Sequence, residues 1–357
     1  MGIPGLLRAF KSCQRRVCIA DYAGMTAGID GYCWLHKGAY GCSLELCTGG
    51  PTATTKYVEY FMKRIHVLLS NGVTPLVVLD GDQISAKYGT EENRGCRRRA
   101  NLEKGRSLLA AGERQAATQF FNKAVDVTPG MAWQLIKALK STGIALIVAP
   151  YEADAQLAYL CREGIVDFVI SEDSDLIPFG CQTILFKMDL NGDGDEFRRS
   201  RISGCSDLDF TRFTDDMLLD MCILAGCDYL PSLPGMGLSR AHKLVKKFRH
   251  NPRRFFAQIR IDGVFTIRRG YELGFKRARI AFRHQRVYDP RRRRIVPMTC
   301  LPPALDPGKI NFCGMDVPPS LGHAIAIGMV DPSTRLPYIP RRISARPDML
   351  VGIHPRD

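Results

Sequence analysis

The sequence predicts an α/β fold: a central, twisted, mostly parallel sheet flanked by helices. Three observations point to it. Short apolar runs alternate with helical patterns over the first ~230 residues. Acidic residues recur just past those runs. From Phe213 onward the pattern turns mainly helical, and there the positive charge concentrates.

Taken in order, Ala23–Asp30, Thr74–Asp80, Ile144–Ala149, Ile165–Ser171 and Thr183–Lys187 are aliphatic runs of strand length. Lys56–Ser70, Met131–Ser141 and Ala153–Arg162 carry apolar residues at helical spacing and read as the connecting helices. Between Gln83 and Thr128 there is no strand signal, only a polar, Arg-rich insertion that reads as helical, weakened by Gly89, Gly95, Gly105 and Gly112. Asp289-Pro290, followed by Arg291–Arg294 and Ile295-Val296, has the chemistry of a hairpin tip, which we favour over a nuclear-localisation run. Asp189, Asn191, Asp193 and Gly194 imitate the front of a calcium-binding EF-hand loop. Its twelfth position falls on Ser200, where Glu is required, so a hairpin turn is the better reading. The Pro-rich end after Pro302 reads as poorly structured.

The chain has 357 residues, with 45% of the hydrophobic class and 24% charged, enough apolar material for a large buried core. No run reaches the ~18 apolar residues of a membrane span, and Arg8 and Lys11 interrupt any signal-peptide core. Met1-Gly2 lacks the Ser or Thr of a myristoylation site, since Leu6 stands there. Thirteen cysteines, odd in number and without any C-x-x-C, read as reduced thiols in a cytosolic or nuclear protein. Of the formal charge of +14, the segment Arg240–Arg294 holds nineteen Lys/Arg against three Asp/Glu. It therefore carries about +16, and the other 302 residues about −2. A basic module joined to a near-neutral one is the footprint of a polyanion binder.

In open α/β sheets ligands gather beyond the carboxyl ends of the strands. Asp30, Asp80, Glu152, Asp154, Asp173 and Asp175 fall at those ends, and Asp228 follows the helix Met217–Gly226. Seven carboxylates so placed repel one another unless cations neutralise them. Oxygen donors without a His or Cys cluster suit Mg²⁺ or Mn²⁺, and two such ions ~3.5–4 Å apart are suited to phosphodiester hydrolysis.

These residues resemble the structure-specific 5′ nucleases, the family that includes flap endonuclease, and within it the mismatch-repair 5′→3′ exonuclease branch. The resemblance is carried by Met1-Gly2-Ile3-x-Gly5-Leu6-Leu7, Tyr32-Cys33-Trp34-Leu35-His36-Lys37-Gly38-Ala39, Ala149–Leu160 (with Tyr151-Glu152-Ala153-Asp154), Ser171–Leu176 and Gly226-Cys227-Asp228-Tyr229-Leu230. It runs collinearly from residue 1 to about 330. The sliding-clamp box usual in flap endonuclease is absent, because no Gln stands at the required spacing before Phe255-Phe256.

The resemblance implies a PIN-like nuclease core, a helical arch after Asp80, and a C-terminal helix–two-turn–helix region. It divides the chain at 1–100, 101–230, 231–300 and a partly irregular 301–357. It makes the seven carboxylates ligands of two Mg²⁺ ions, with Mn²⁺ able to substitute. Lys87 and Arg94 become the arch cations that meet the scissile phosphate. Arg97 and Arg98 steer the single strand, Tyr32 and His36 face the junction, and Gly2 lies beside the site. Gly235, Gly237, Arg240 and Lys243 grip the duplex, and Ala225, Ser232 and Met236 hold a K⁺ ion against its backbone. The implied substrate is nicked, gapped, 5′-recessed or flapped DNA, with 5′-phosphorylated products. A monomer, a nuclear location and mismatch-repair partners are implied too. Rival readings are a flap endonuclease or junction resolvase, a non-catalytic DNA-binding scaffold, and a dehalogenase-type phosphatase, whose Asp-x-Asp is lacking at Asp30-Gly31-Tyr32. Gly31, Asp82, Gly89, Gly95 and Pro234 depart from the family pattern, and none removes a metal ligand.

Overall fold

A computed structural model describes residues 2–49, 53–249 and 251–338. Seven strands form one sheet: β1 (Gln14–Cys18), β2 (Thr26–Asp30), β3 (Thr74–Leu79), β4 (Ala145–Val148), β5 (Phe168–Ser171), β6 (Thr183–Phe186) and β7 (Asp193–Arg198). Their order is β1-β7-β6-β5-β2-β3-β4. The β6-β5-β2-β3-β4 block is parallel throughout, and β7 and β1 add an antiparallel edge. The mostly parallel sheet expected from the sequence is present.

Both faces of that block are covered, so its strands read as unbroken apolar runs. Successive side chains nevertheless divide between two cores, as a period of two requires. Leu76, Val78, Ile147, Val169 and Ile184 enter one core, and Val77, Leu79, Leu146, Ile170 and Leu185 the other. The helix Lys56–Ser70 covers the second core with Tyr57, Phe61, Ile65 and Leu68. The helix Ala153–Arg162 lies in the first with Ala155, Leu157, Ala158 and Leu160. Both helices have the bounds the periodicity predicts.

The chain winds from β2 through β3 to β4 on one side, then crosses back to β5 and β6 on the other. This reversal opens a crevice beyond the carboxyl end of β2. Over it stands the insertion, folded as a long helix, Tyr88–Ala110, and a shorter return, Arg114–Ala124. Beyond the sheet come the helices Asp215–Ala225, Leu238–Phe248, Pro252–Asp262 and Tyr271–His284, and the hairpin β8 (Arg286–Asp289) with β9 (Arg294–Pro297). Asp289 Oδ1 accepts from the backbone N–H groups of Arg291 and Arg292, the turn chemistry expected there. The EF-hand look-alike is a turn too: Asp189 Oδ1 accepts from the N–H groups of Asn191 and Asp193, joining β6 to β7.

The segment after Pro302 differs from expectation. A 3₁₀ turn, Pro307–Cys313, and a helix, Pro319–Ala326, fold back onto the molecule, and Tyr338 stacks on Trp133 with ring centroids 4.8 Å apart. Pro307 and Pro319 stand in first turns, where proline starts a helix instead of ending it. The expected irregular extension therefore holds only in part over 301–338, and its remainder, 339–357, lies outside the described residues. Among the described residues no helix is long and apolar enough to cross a membrane.

Candidate active site

The crevice is a cavity of about 380 Å³ whose lining includes Asp30, Asp80, Glu152, Asp154, Asp173 and Asp228 below, with Lys87, Arg94 and Arg98 above. Asp30 ends β2 and is 5% exposed. Its Oδ1 caps the following helix by accepting from the Cys33 N–H at 3.0 Å, and its Oδ2 accepts from Ser171 Oγ at 2.6 Å. Asp80 follows β3 and accepts from the Ala153 N–H at 2.7 Å, tying one strand end to the next helix start. Asp173 Oδ1 accepts from the Asp175 N–H at 2.9 Å.

The electrostatics follow from this crowding. Burial, reinforced by neighbouring Asp80, pushes the Asp30 carboxyl up to about 7. Burial pushes Asp80 up to about 6, against the pull of the Ala153 N–H and Lys87. Asp154 and Asp175 are raised well above the carboxylate range, first by burial and then by Asp173. Asp173 itself is raised by burial. Asp228 goes the other way: burial pushes it up, but Lys87 and Arg94 outweigh burial and hold it below its ordinary value.

The arch cations supply that balance. Lys87 Nζ lies 2.9 Å from Asp228 Oδ2 and 3.3 Å from Glu152 Oε1. Arg94 Nη2 donates to both Asp228 oxygens at 2.9 and 3.0 Å, while its Nη1 donates to Glu91 at 2.6 Å. Arg98 donates to Asp126 at 2.8 Å on the cavity wall. Arg97, on the same helix, is exposed and does not line the cavity. Tyr32 and His36 line it, and burial lowers the His36 imidazole's pKa, favouring the neutral ring.

Whether this donor set fits a hard cation can be judged from its oxygens. Among the described residues no three His, Cys, Asp or Glu side chains are closed around one point as a finished metal site. Lys87 and Arg94 instead draw Glu152 and Asp228 toward the arch. Still, the donors are all carboxylate oxygens, and burial makes Asp30, Asp80, Asp154, Asp173 and Asp175 reluctant to hold charge. Asp175 Oδ1 is buried without a hydrogen-bond donor, and Glu152 Oε1 meets the Lys87 ammonium at 3.3 Å. Such a set is suited to divalent cations with oxygen ligands, once the arch cations withdraw.

Two glycines are explained by close approach. A Cβ on Gly2 would lie 2.3 Å from Asp173 Oδ1 and 2.7 Å from Asp175 Oδ1, and its φ is +83°. The neighbouring Ile3 N–H donates to Ser174 Oγ at 2.9 Å, so the N-terminal turn packs against the carboxylate loop. A Cβ on Gly31 would lie 2.5 Å from Leu79 Cδ2, which accounts for glycine directly after Asp30. Asp82 lines the cavity and accepts from the Gln83 N–H.

Sequence reasoning missed several partners. The Tyr229 hydroxyl and Gln285 Nε2, the latter at 3.1 Å, donate to Glu152 Oε2. Glu91, one turn before Arg94 on the arch, was legible from spacing; Gln285, 133 residues from Glu152, had no local signal. Ser171, which holds Asp30, sits inside the quoted Ser171–Leu176 run, and Ser333 enters the cavity from the C-terminal segment.

The duplex-gripping candidates stand elsewhere. Gly235, Gly237 and Arg240 line an open groove of about 560 Å³ against Pro4–Ala9, while Lys243 is exposed one helical turn on. Arg240 Nη1 donates back to the Gly235 carbonyl at 2.6 Å. Ala225 ends the helix Asp215–Ala225, and Ser232 and Met236 lie in the connection to the next helix.

Residues 1–101 match the XPG N-terminal domain and residues 143–228 the XPG I-region. The chain is 44% identical to exonuclease 1 of Oryza sativa subsp. japonica over 338 residues, 95% of this chain and 40% of that protein. It is 35% identical to the DNA damage-inducible protein DIN7 of Saccharomyces cerevisiae, over 85% of this chain and 70% of the relative. It thus spans less than half the length of the rice protein. The solved catalytic core of Rad2 in complex with DNA substrate shares the fold, with a TM-score of 0.56 at 20% identity over 78% of this chain and 85% of that one. With both XPG regions in place and identity extending along nearly its whole length, this chain belongs to the XPG-type nuclease family, in the branch that holds exonuclease 1 and DIN7.

Proposed function

We propose that the protein is a metal-dependent 5′→3′ deoxyribonuclease that degrades one strand of duplex DNA and also cuts 5′ flaps, leaving 5′-phosphorylated products. The observation that carries this reading is the crowded carboxylate floor directly beneath Lys87 and Arg94 of the arch. Asp30, Asp80, Glu152, Asp154, Asp173, Asp175 and Asp228 would hold two Mg²⁺ ions, or Mn²⁺ in their place. When bound, these ions supply an activated water and charge stabilisation at the departing oxygen.

The chain's own residues do the remaining work. Asp30 and Asp80 are fixed by backbone N–H groups, so these two carboxylates are held in place before any ion is loaded. Lys87 and Arg94 are bound to Asp228 and exchange that carboxylate for the scissile phosphate, bringing two positive charges to the reacting group. Tyr32 and His36 present an aromatic wall for unpaired bases, and Arg98 offers a cation to the single strand. Arg97 is exposed on the arch and would act only on DNA beyond the cavity.

Gly235, Gly237, Arg240 and Lys243 hold the duplex, assisted by K⁺ at the Ala225, Ser232 and Met236 carbonyls. On this reading 1–230 cut and 231–300 hold. The substrates are nicked, gapped, 5′-recessed or flapped duplexes, met by a monomer in the nucleus alongside mismatch-repair proteins. The relative named exonuclease 1 and the relative named DNA damage-inducible support that repair setting.

Digestion of 5′-recessed and flapped duplexes, labelled at either end, tests the proposal. With Mg²⁺ a 3′ label is expected to persist on progressively shorter fragments, and Asp173→Ala is expected to abolish cutting while leaving duplex binding. Unchanged cutting by Asp173→Ala would refute the catalytic reading. Flap cutting without digestion from a recessed end would favour a flap endonuclease.

A further inference from the structure

Outside the helix–two-turn–helix element, a second group of cations lies on the N-terminal segment. Arg8 is exposed at the end of the helix Leu6–Ala9, Lys11 in the 3₁₀ turn that follows, and Arg15 on β1, the outermost strand of the sheet. Arg8 lines two open grooves at once. One, of about 560 Å³, is shared with Gly235, Gly237, Ser239 and Arg240; the other, of about 430 Å³, is shared with Lys11, Arg15 and Arg16. The basic turn and the N-terminal cations therefore form one continuous surface.

The charges on this surface are unequally committed. Arg16 is paired with Asp189 at 3.2 Å and Asp195 at 3.4 Å, and Lys187 with Asp195 at 3.4 Å. The third acid here, Asp207, accepts from the Ser12 N–H at 2.9 Å; the Ser12 hydrogen bonds chiefly lower its pKa, with a smaller contribution from Lys11, which makes no ion-pair contact with it. Among the described residues Arg8, Lys11 and Arg15 make no side-chain hydrogen bond or salt bridge. On the far wall of the first groove, the helix Leu238–Phe248 starts at Gly237 with no side-chain cap, leaving its first N–H groups open to an anion.

We propose that Arg8, Lys11 and Arg15 form a second phosphate track that carries duplex DNA beyond the Gly235–Arg240 turn and across the N-terminal segment. The track rests on the reading that the turn itself grips duplex. Continuity with that turn and the absence of neutralising partners favour a polyphosphate backbone. Each cation that neutralises a phosphate releases counterions, so the track has a signature in salt dependence as well as in affinity.

The test uses the full chain in EDTA, with fluorescence anisotropy on blunt duplexes of about 10 and about 30 base pairs across a KCl series. Three released phosphate contacts are expected to lower the log–log salt slope of Arg8→Ala/Lys11→Ala/Arg15→Ala on the longer duplex by about 2–3. Between 50 and 200 mM KCl, wild type then loses roughly 40-fold more affinity than the variant. The short duplex, which covers the turn and the adjoining Arg8 but not the whole track, is expected to separate the two proteins less. Arg16→Ala, whose guanidinium is already paired, is expected to keep the wild-type slope, and Arg8→Lys/Arg15→Lys to restore it. A thermal melt matching wild type shows that the triple variant is folded.

Equal slopes for wild type and the triple variant on the longer duplex would overturn the track. So would a loss confined to a polyglutamate probe, which would assign the surface to an acidic protein. Wild type that binds neither duplex at any salt would bring down the duplex-gripping reading itself, a result distinguishable from loss of the track alone.

Discussion

Lys87 decides how the site is held together. It is 18% exposed and balances two carboxylates, and its ammonium is stabilised in the charged form by Glu152 and Asp228 in spite of burial. A methionine there keeps the stem and removes the charge. Lys87→Met is expected to lower the turnover rate by roughly 10²–10³-fold, the usual cost of removing one preorganised donor, with duplex affinity nearly unchanged. Single-turnover cutting alongside a binding isotherm separates the two. A second residue makes the stability depend on pH. Asp220 is fully buried, its nearest cation is Arg279 at 3.3 Å, and burial pushes its carboxyl up to about 7. In the unfolded chain the same carboxyl titrates near its ordinary value of about 3.9. The folded state therefore binds the extra proton between those values. The resulting stability is complete below pH ~4 and is lost as pH rises through about 7. Asp220→Asn is expected to melt higher than wild type at pH 8 and to lose that advantage at pH 4. An equal difference at both pH values would show that Asp220 does not titrate in this range.

At the scale of elements, the parallel block was legible because strands buried on both faces are apolar between their ends. The helices Lys56–Ser70 and Ala153–Arg162 were legible because one apolar stripe must meet the sheet. The edges were not. β1 reads Gln-Arg-Arg-Val-Cys and β7 reads Asp-Gly-Asp-Glu-Phe-Arg, with little apolar content. At β1, which closes this side of the sheet, charged side chains discourage pairing with other chains, so the feature that protects that edge also hides it from pattern reading. The same logic applies to the site. Its carboxylates were visible because they follow apolar runs, whereas Tyr229 and Gln285, which position Glu152, come from distant segments joined only by the fold. The arch was legible as helical despite its glycines, and those glycines now have a measurable cost. Nothing lies within 4 Å of where a Cβ on Gly95 would stand, and the residue is inside the helix Tyr88–Ala110. Gly95→Ala is therefore expected to stabilise the arch by roughly 0.5–1 kcal/mol. Slower amide hydrogen exchange confined to residues near 88–100 would register it, and unchanged exchange would mean that the arch does not open through helix unwinding.

Over the whole molecule, the charge of +14 is the remainder of two opposed regions, and the structure refines the division. Part of the basic segment is internal scaffolding: Arg279 and Arg283 pair with Asp216, and Arg286 lies 3.4 Å from Asp316. These cations fasten the helix Tyr271–His284 to the helix Asp215–Ala225 and the hairpin to the C-terminal segment, so they are not free for phosphates. Lys243, Lys247, Arg253, Arg254, Arg268 and Arg269 are exposed, have no carboxylate partner among the described residues and are open to a polyanion. The carboxylate floor has the opposite sign, and it repels a phosphate backbone wherever divalent ions do not neutralise it. Holding and cutting should therefore respond differently to chelation. In EDTA, duplex affinity is expected to weaken relative to Mg²⁺ but to persist, falling steeply with added KCl by about 0.9 in log–log slope per phosphate contact. Cutting is expected to vanish. The decisive measurement is a salt titration of duplex binding with and without Mg²⁺. If binding disappeared altogether in EDTA at low salt, the floor rather than the basic helices would be holding the DNA, and the division of labour between the two regions would be wrong.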